Sequence, residues 1–246
     1  MENKGKLMSL FAGLKRDESI EQPKDTLGGG FTVLDTDVYP AVVKMAYAGK
    51  SRGGAQSVTI EFQLPDERTH KETFYVTSGD AKGNKNYYES NGTRRYLPGF
   101  VTVDELCAVA TGHLLADQET ATKIVKEYDF DAGGEIDKEV PALTDLIGKK
   151  VKLAIRKVVE FKRKEIDGKW VDVDETREKN EVDKAFNEDG FTVNELMNKA
   201  EEAEFIEAWL EKNQGKVKDL TKGKKASPAG SGTGSPKAAP KKSLFG

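Results

Sequence analysis

Between Lys149 and Lys164 the chain alternates in a way that no helix can use. Val151, Leu153, Ile155, Val159 and Phe161 fall on one side, with Lys157 the exception. Lys150, Lys152, Arg156, Lys162 and Lys164 share the other side with Ala154, Val158 and Glu160. A period of two is that of a β-strand, whose side chains point alternately to opposite faces, so this stretch commits the chain to a sheet with one apolar face.

The same period governs three earlier segments. Tyr39, Ala41, Val43, Met45 and Tyr47 alternate with Val38, Pro40, Val42, Lys44 and Ala46, and Pro40 marks a strand start or an edge. After the turn Gly49–Gly54, Val58, Ile60, Phe62 and Leu64 oppose Ser57, Thr59, Glu61 and Gln63, and a third strand covers about 71–77. Short turns between the three make an antiparallel meander. Further strands are expected at 124–130 and around Trp170, the latter reached through Ile166-Asp167-Gly168-Lys169. The fold class expected is therefore mainly β with flanking helices.

Two helices announce themselves by their starts. Thr102 with Glu105, and Thr192 with Glu195, have the three-residue spacing of a capping box. Leu106, Val109 and Ala110 supply the first helix's apolar face and Gly112 its stop. Leu196, Ala200, Ala203, Ile206 and Leu210 predict one continuous C-terminal helix, with Phe205 and Trp209 beside the stripe. Near the start, Leu7, Leu10, Phe11 and Leu14 fall on one helical face of an arm over residues 1–30, which closes with Gly28-Gly29-Gly30. Residues 31–215 form the body, and 216–246 read as a flexible basic tail of Lys, Gly, Ser, Pro and Ala.

The inventory argues against catalysis. Cys107 is the single cysteine, so an internal disulfide and a Cys-rich zinc site are excluded, and its apolar run Leu106–Val109 reads as a buried structural thiol. His70 and His113 lie far apart, and the pairs Asp35/Asp37 and Asp129/Asp131 sit among many surface acids. No nucleophile motif occurs, and Ser78–Lys85 is rich in glycine and lysine without phosphate-loop spacing. The expectation is a protein that is not an enzyme and holds neither cofactor nor metal. No stretch approaches the roughly 20 apolar residues of a membrane span, and the polar start leads into no signal sequence, so a cytoplasmic protein without membrane association is expected.

Charge distribution matters more than net charge. The whole chain carries −3, but residues 221–246 hold six lysines and no acid, which leaves −9 on the rest. Two basic features stand against that acidity. In the excursion 79–96, Lys82, Lys85, Arg94 and Arg95 interleave with Tyr87, Tyr88 and Tyr96, and Asn91-Gly92 marks a hairpin turn. Cations along a backbone track and rings on which bases stack are what single-stranded nucleic acid needs, and an ordinary solvated hairpin is the competing reading. The second feature is the cationic side of the 149–164 strand, with Lys150, Lys152, Arg156 and Lys162. A phosphate track and a lysine-protected edge strand both account for it. Lys50 and Arg52 of the first turn complete the set of DNA-contact candidates.

Several blocks have a family look: Val38-Tyr39-Pro40-Ala41; Val76-Thr77-Ser78-Gly79 with Lys85-Asn86-Tyr87-Tyr88; Tyr96-Leu97-Pro98-Gly99-Phe100; Val140-Pro141-Ala142-Leu143 before Leu146-Ile147-Gly148-Lys149; and Glu175-Thr176-Arg177-Glu178 before Asn180-Glu181-Val182-Asp183. Through them, over roughly residues 25–215, the chain resembles the single-stranded DNA-binding proteins of small tailed phages. The resemblance implies an OB-like antiparallel β-barrel that coats single strands without reading sequence, in phage DNA replication and recombination inside the host cytoplasm. It also implies replication or recombination proteins as partners. Proteins of this role commonly end in an acidic tail with a terminal aromatic, whereas here the tail is basic, with Leu244 and Phe245 as a docking tip. The alternative reading is a replisome or recombination adaptor that recruits partners through its terminal Leu-Phe segments.

Overall fold

A computed structural model of the chain describes residues 33–65, 67–129, 132–166 and 169–226. The expected N-terminal helix and triple glycine, and the tail tip with Leu244 and Phe245, lie outside the described residues.

Eight strands join in one large sheet. Its spine runs β10 (Val217–Asp219), β8 (Lys150–Ile166), β1 (Asp37–Lys50), β2 (Gln56–Gln63), β3 (Thr69–Tyr75). Every pairing is antiparallel except that of β10 with β8. β9 (Lys169–Phe186) lies against β8, and β7 (Gly134–Leu143) links β6 (Thr120–Asp129) to β1 at Tyr47–Ala142. A small separate hairpin consists of β4 (Tyr87–Ser90) and β5 (Thr93–Tyr96). Strand β1 is long enough to serve two neighbours on one edge, β8 along 37–42 and β7 near its other end.

The sheet is not closed into a barrel. Among the described residues no ladder joins β3 to β9. Helix α1 (Pro98–Thr111) packs on both strands instead, burying Val103, Leu106, Cys107 and Val109. A single carboxylate bridges the seam: Glu72 Oε2 accepts from the Val182 backbone N–H at 2.9 Å and lies 3.0 Å from His70 Nε2.

Two bulges redirect the alternation that the sequence displays. Register skips Lys44 between Val43–Phe62 and Met45–Glu61. One extra residue reverses which face each later side chain meets. Ala41, Val43 and Ala46 therefore share the main core, while Met45 and Tyr47 turn to a second cluster with Val140 and Ala142. Asp183 is skipped likewise in β9, so Val182 and Ala185 enter the main core but Phe186 joins Ala154, Ile206 and Trp209 across the sheet. That third cluster covers part of the side of β8 on which the sequence places the cations, at Ala154. Of β8's expected apolar face, Val151, Leu153 and Ile155 are buried in the main core, whereas Val159 and Phe161 are half-buried.

The helices begin or end elsewhere than expected. α1 starts at Pro98, a good first-turn residue because its missing N–H has no partner there anyway, and Thr102 lies inside it, its hydroxyl donating to Pro98 O. Gly112 ends α1 in the left-handed conformation, as expected. The C-terminal helix is not continuous. α2 (Val193–Met197) has the full Thr192/Glu195 capping box, but Lys199 at φ 51° breaks the path before α3 (Glu204–Asn213). No helix among the described residues is long and apolar enough to cross a membrane.

Candidate nucleic-acid interface

The hairpin's two tyrosine-bearing faces follow from its register. Tyr87 pairs with Tyr96 and Glu89 with Arg94, which puts these four on one face. Tyr88 and Arg95 pair on the other. Arg94 Nε donates to Glu89 Oε1 at 2.9 Å, while its guanidinium lies 5.2 Å from the Tyr87 ring centre. Lys85 Nζ lies 5.5 Å from the same ring. Two cations are thus gathered about one aromatic quadrupole. Hydrogen bonding to Glu89, helped by the neighbouring Tyr87 and Glu89 charges, raises the Arg94 pKa above its ordinary value. Tyr96 rests on Phe100 at 5.2 Å between ring centres, and 60% of it stays exposed.

A cleft of about 470 Å³ opens between this hairpin, the end of β3 and the start of α1. Tyr75, Tyr87 and Tyr88 line it together with Lys82, Lys85, Thr77, Ser78 and Glu89, the last held by Arg94. Leu97, Pro98 and Gly99 form its far wall. Tyr75 and Tyr88 are 53% and 42% exposed. Among the described residues neither Lys82 nor Lys85 has an ion-pair partner. No side chain caps the start of α1, whose Leu97, Pro98 and Gly99 line the cleft, and a helix start carries the positive end of the helix dipole.

Close backbone packing holds these walls. A Cβ on Gly99 would stand 2.5 Å from the Tyr75 carbonyl oxygen, so glycine lets the helix start touch β3. Gly79, at φ 85°, lets the next segment sit on the β1–β2 turn, where Asp80 N–H donates to Gly53 O at 2.9 Å. Asn84 Nδ2 donates to the Asp80 carboxylate and fastens the same loop. Lys50 reaches Asp80 at 3.8 Å, and Arg52 is exposed in the turn beside it.

The cationic side of β8 is arranged differently. β9 places acids against it: Lys162 and Lys164 both reach Glu175, at 3.1 and 2.7 Å, and Arg163 reaches Asp172. Glu160 takes Arg177 and Lys179, each at 2.7 Å. Burial opposes ionisation of Glu160, but the bonds from Lys179 and Arg177 outweigh it and hold its carboxyl below the usual range. Arg156 is engaged inside the fold, 2.9 Å from Asp183, with its guanidinium 5.8 Å from the Trp209 ring. Lys150 stands 3.8 Å from Glu188, and Lys152 has no ion-pair partner among the described residues; both line a smaller apolar pocket with Pro40 and Pro65. None of these β8 residues lines the tyrosine cleft.

The structure thus gathers Tyr87, Tyr88, Lys82 and Lys85 from the sequence candidates and separates them from Lys150, Lys152, Arg156 and Lys162. It adds Tyr75 and the Leu97–Gly99 wall, which sequence reasoning missed. Tyr75 was within reach, since it alternates with buried His70, Phe74 and half-buried Glu72 and so points outward. The acids that β9 sets against Arg156, Lys162 and Lys164 could not be read from the β8 alternation, because cross-strand pairing cannot be seen in one strand. No His/Cys/Asp/Glu cluster suited to a metal occurs among the described residues. No protein-family model matches the chain, and no curated protein resembles it closely enough to count as a relative.

Proposed function

We propose that this protein binds single-stranded DNA without sequence preference, through the cleft between the β4–β5 hairpin, β3 and α1. The observation that carries this reading is the meeting of Tyr75, Tyr87 and Tyr88 with Lys82 and Lys85, which have no carboxylate partner among the described residues, in one open cleft. Bases stack on exposed rings irrespective of their identity, and phosphates seek the adjacent ammonium groups and the uncapped helix start. Arg95, on the Tyr88 face, and Arg52, in the neighbouring turn, extend the positive ground beyond the cleft. In this reading the curved sheet, with β1 shared between β2 and β8, serves as an open OB-like platform for the hairpin. A role in phage replication and recombination is the setting that the sequence resemblance suggests.

Fluorescence anisotropy of a labelled oligothymidine, against a duplex of equal length and across a salt series, tests the proposal. The expected result is binding to the single strand that weakens linearly in log K against log salt. Absent binding, or binding that salt does not change, overturns it.

A further inference from the structure

Most strand edges in this protein are covered, short or bent. The seam edge of β9 is held by Glu72 on the Val182 amide and by Asn180, whose side chain exchanges hydrogen bonds with the Leu34 backbone at 2.8 and 2.9 Å. β10 is three residues long, and β8 and β9 are kinked by two register shifts. β6 is the exception. It pairs with β7 without a register shift over ten residues, contains neither proline nor glycine, and pairs with no other strand among the described residues. Ile124, on this edge strand, is 65% exposed. A long, straight and partly apolar edge is a template for strand addition.

The ladder fixes which groups that edge offers. Thr144 N–H donates to Glu119 O, and the register pairs residues whose numbers keep the same sum down to Asp129–Gly134. Hydrogen-bonded pairs alternate with non-bonded ones, so the odd-numbered residues of β6 bond to β7. Thr122, Ile124 and Lys126 therefore point their backbone N–H and C=O groups away from β7. A second β6 running antiparallel can meet these groups in only a few twofold registers. Centred on Lys126, the pairing sets Lys126 against its own copy. Centred on Ile124, it leaves Glu127 opposite Ala121 and unites no opposite charges. Centred on Val125, it sets Val125 against Val125, the stem of Lys126 over Ile124, and Lys123 twice against Glu127, whose carboxylate already takes Lys138 at 2.6 Å and the Tyr47 hydroxyl at 3.2 Å. Like charges directly opposed are destabilising and opposite ones favourable, which selects the third register.

We infer that β6 is a self-association edge, at which a second copy of this chain adds its own β6 antiparallel with Val125 on the twofold axis. An isologous pairing of this kind uses one patch on both copies and closes at two. It joins the sheets of two protomers into one and leaves the tyrosine cleft of each on separate elements, so it stands independently of the DNA reading.

Engineered cysteines in the full chain test the register. Val125→Cys brings two thiols to a non-bonded pair with Cα atoms about 4.5 Å apart, within disulfide range. Ile124→Cys leaves its two Cα atoms on the order of 8 Å apart, beyond it. The native Cys107 does not compete, being fully buried. Mild oxidation is expected to give a covalent dimer with Val125→Cys and none with Ile124→Cys. Sedimentation of the wild-type chain is expected at twice the 27.1 kDa monomer mass. Lys126→Pro, which removes an outward N–H and spares the β6–β7 ladder, is expected to sediment as a monomer with an unchanged circular dichroism spectrum. A wild-type monomer throughout the micromolar range overturns the inference, as does a dimer that survives Lys126→Pro. Crosslinking through Ile124→Cys in place of Val125→Cys overturns it too. If Lys126→Pro does not fold, the cysteine pair decides.

Discussion

Tyr75, Tyr87 and Tyr88 contribute to the cleft in different ways. Tyr87 is already flanked by Lys85 and Arg94, so its ring organises cations as well as offering a surface. Tyr75 and Tyr88 expose their rings without such partners. Replacing either by Ala is expected to weaken oligothymidine binding by about 1–3 kcal/mol. Thermal melting of both variants should match the wild type, because neither ring is in the core; an unchanged affinity would return these tyrosines to a structural role. Gly99→Ala is expected to show in stability. Its methyl would collide with the Tyr75 carbonyl, and overpacking of this kind costs about 1–3 kcal/mol, seen as a lower melting temperature. Cys107 supplies a third residue-scale expectation. Burial, with the nearby Asp104 charge, pushes its thiol up to about 12, so a thiol reagent should label it only once the protein is unfolded.

At the level of elements, the β8–β9 ribbon and the β3–β9 seam depend on carboxylates. Lys164 and then Lys162 hold the Glu175 carboxyl below its ordinary range. Burial opposes the same shift in Glu160 and Glu181, but their lysine and arginine bonds prevail and lower both. A lowered folded-state pKa means the stabilisation is complete above the ordinary glutamate value and disappears as pH falls through the lowered ones. Amide protection in the ribbon, measured relative to the intrinsic exchange rate at each pH, should therefore be steady above pH of about 4.3 and fall below it, ahead of the main core. Protection that falls equally everywhere would deny the ribbon this role. At the seam, Glu72→Ala leaves the Val182 N–H without its acceptor and is expected to cost about 1–3 kcal/mol in denaturant unfolding. The strands themselves were legible from alternation at 38–47, 57–64 and 149–164, since each has a clear period of two. The bulges at Lys44 and Asp183 were not, because a single extra residue is set by the partner strand's register. The helix stripe from Leu196 to Leu210 was equally misleading, since its period runs through Lys199, where the backbone turns left-handed.

For the molecule as a whole, the net −9 of residues 1–220 and the proposed ligand's charge oppose each other at long range. Binding then rests on local concentration of cations, and the structure sorts them into two groups. On β8, Lys162 and Lys164 face Glu175 of β9, Arg156 is held by Asp183 beside Trp209, and Lys150 and Lys152 lie at a different pocket from the tyrosine cleft. Lys82 and Lys85 line the cleft, with no carboxylate partner among the described residues. The hairpin was legible as a basic, tyrosine-rich excursion, but its wall from β3 and α1 comes from residues distant in sequence and needed the fold. The most direct test of the account compares the salt dependence of oligothymidine binding for the wild-type chain, Lys82→Ala/Lys85→Ala, and Lys162→Ala/Lys164→Ala. Each phosphate contact on a single strand contributes roughly 0.7 to the slope of log K against log salt, so the cleft pair should flatten it by about 1.4. The β8 pair should leave it as in the wild type. A slope that falls with the β8 pair and not with the cleft pair would contradict the account.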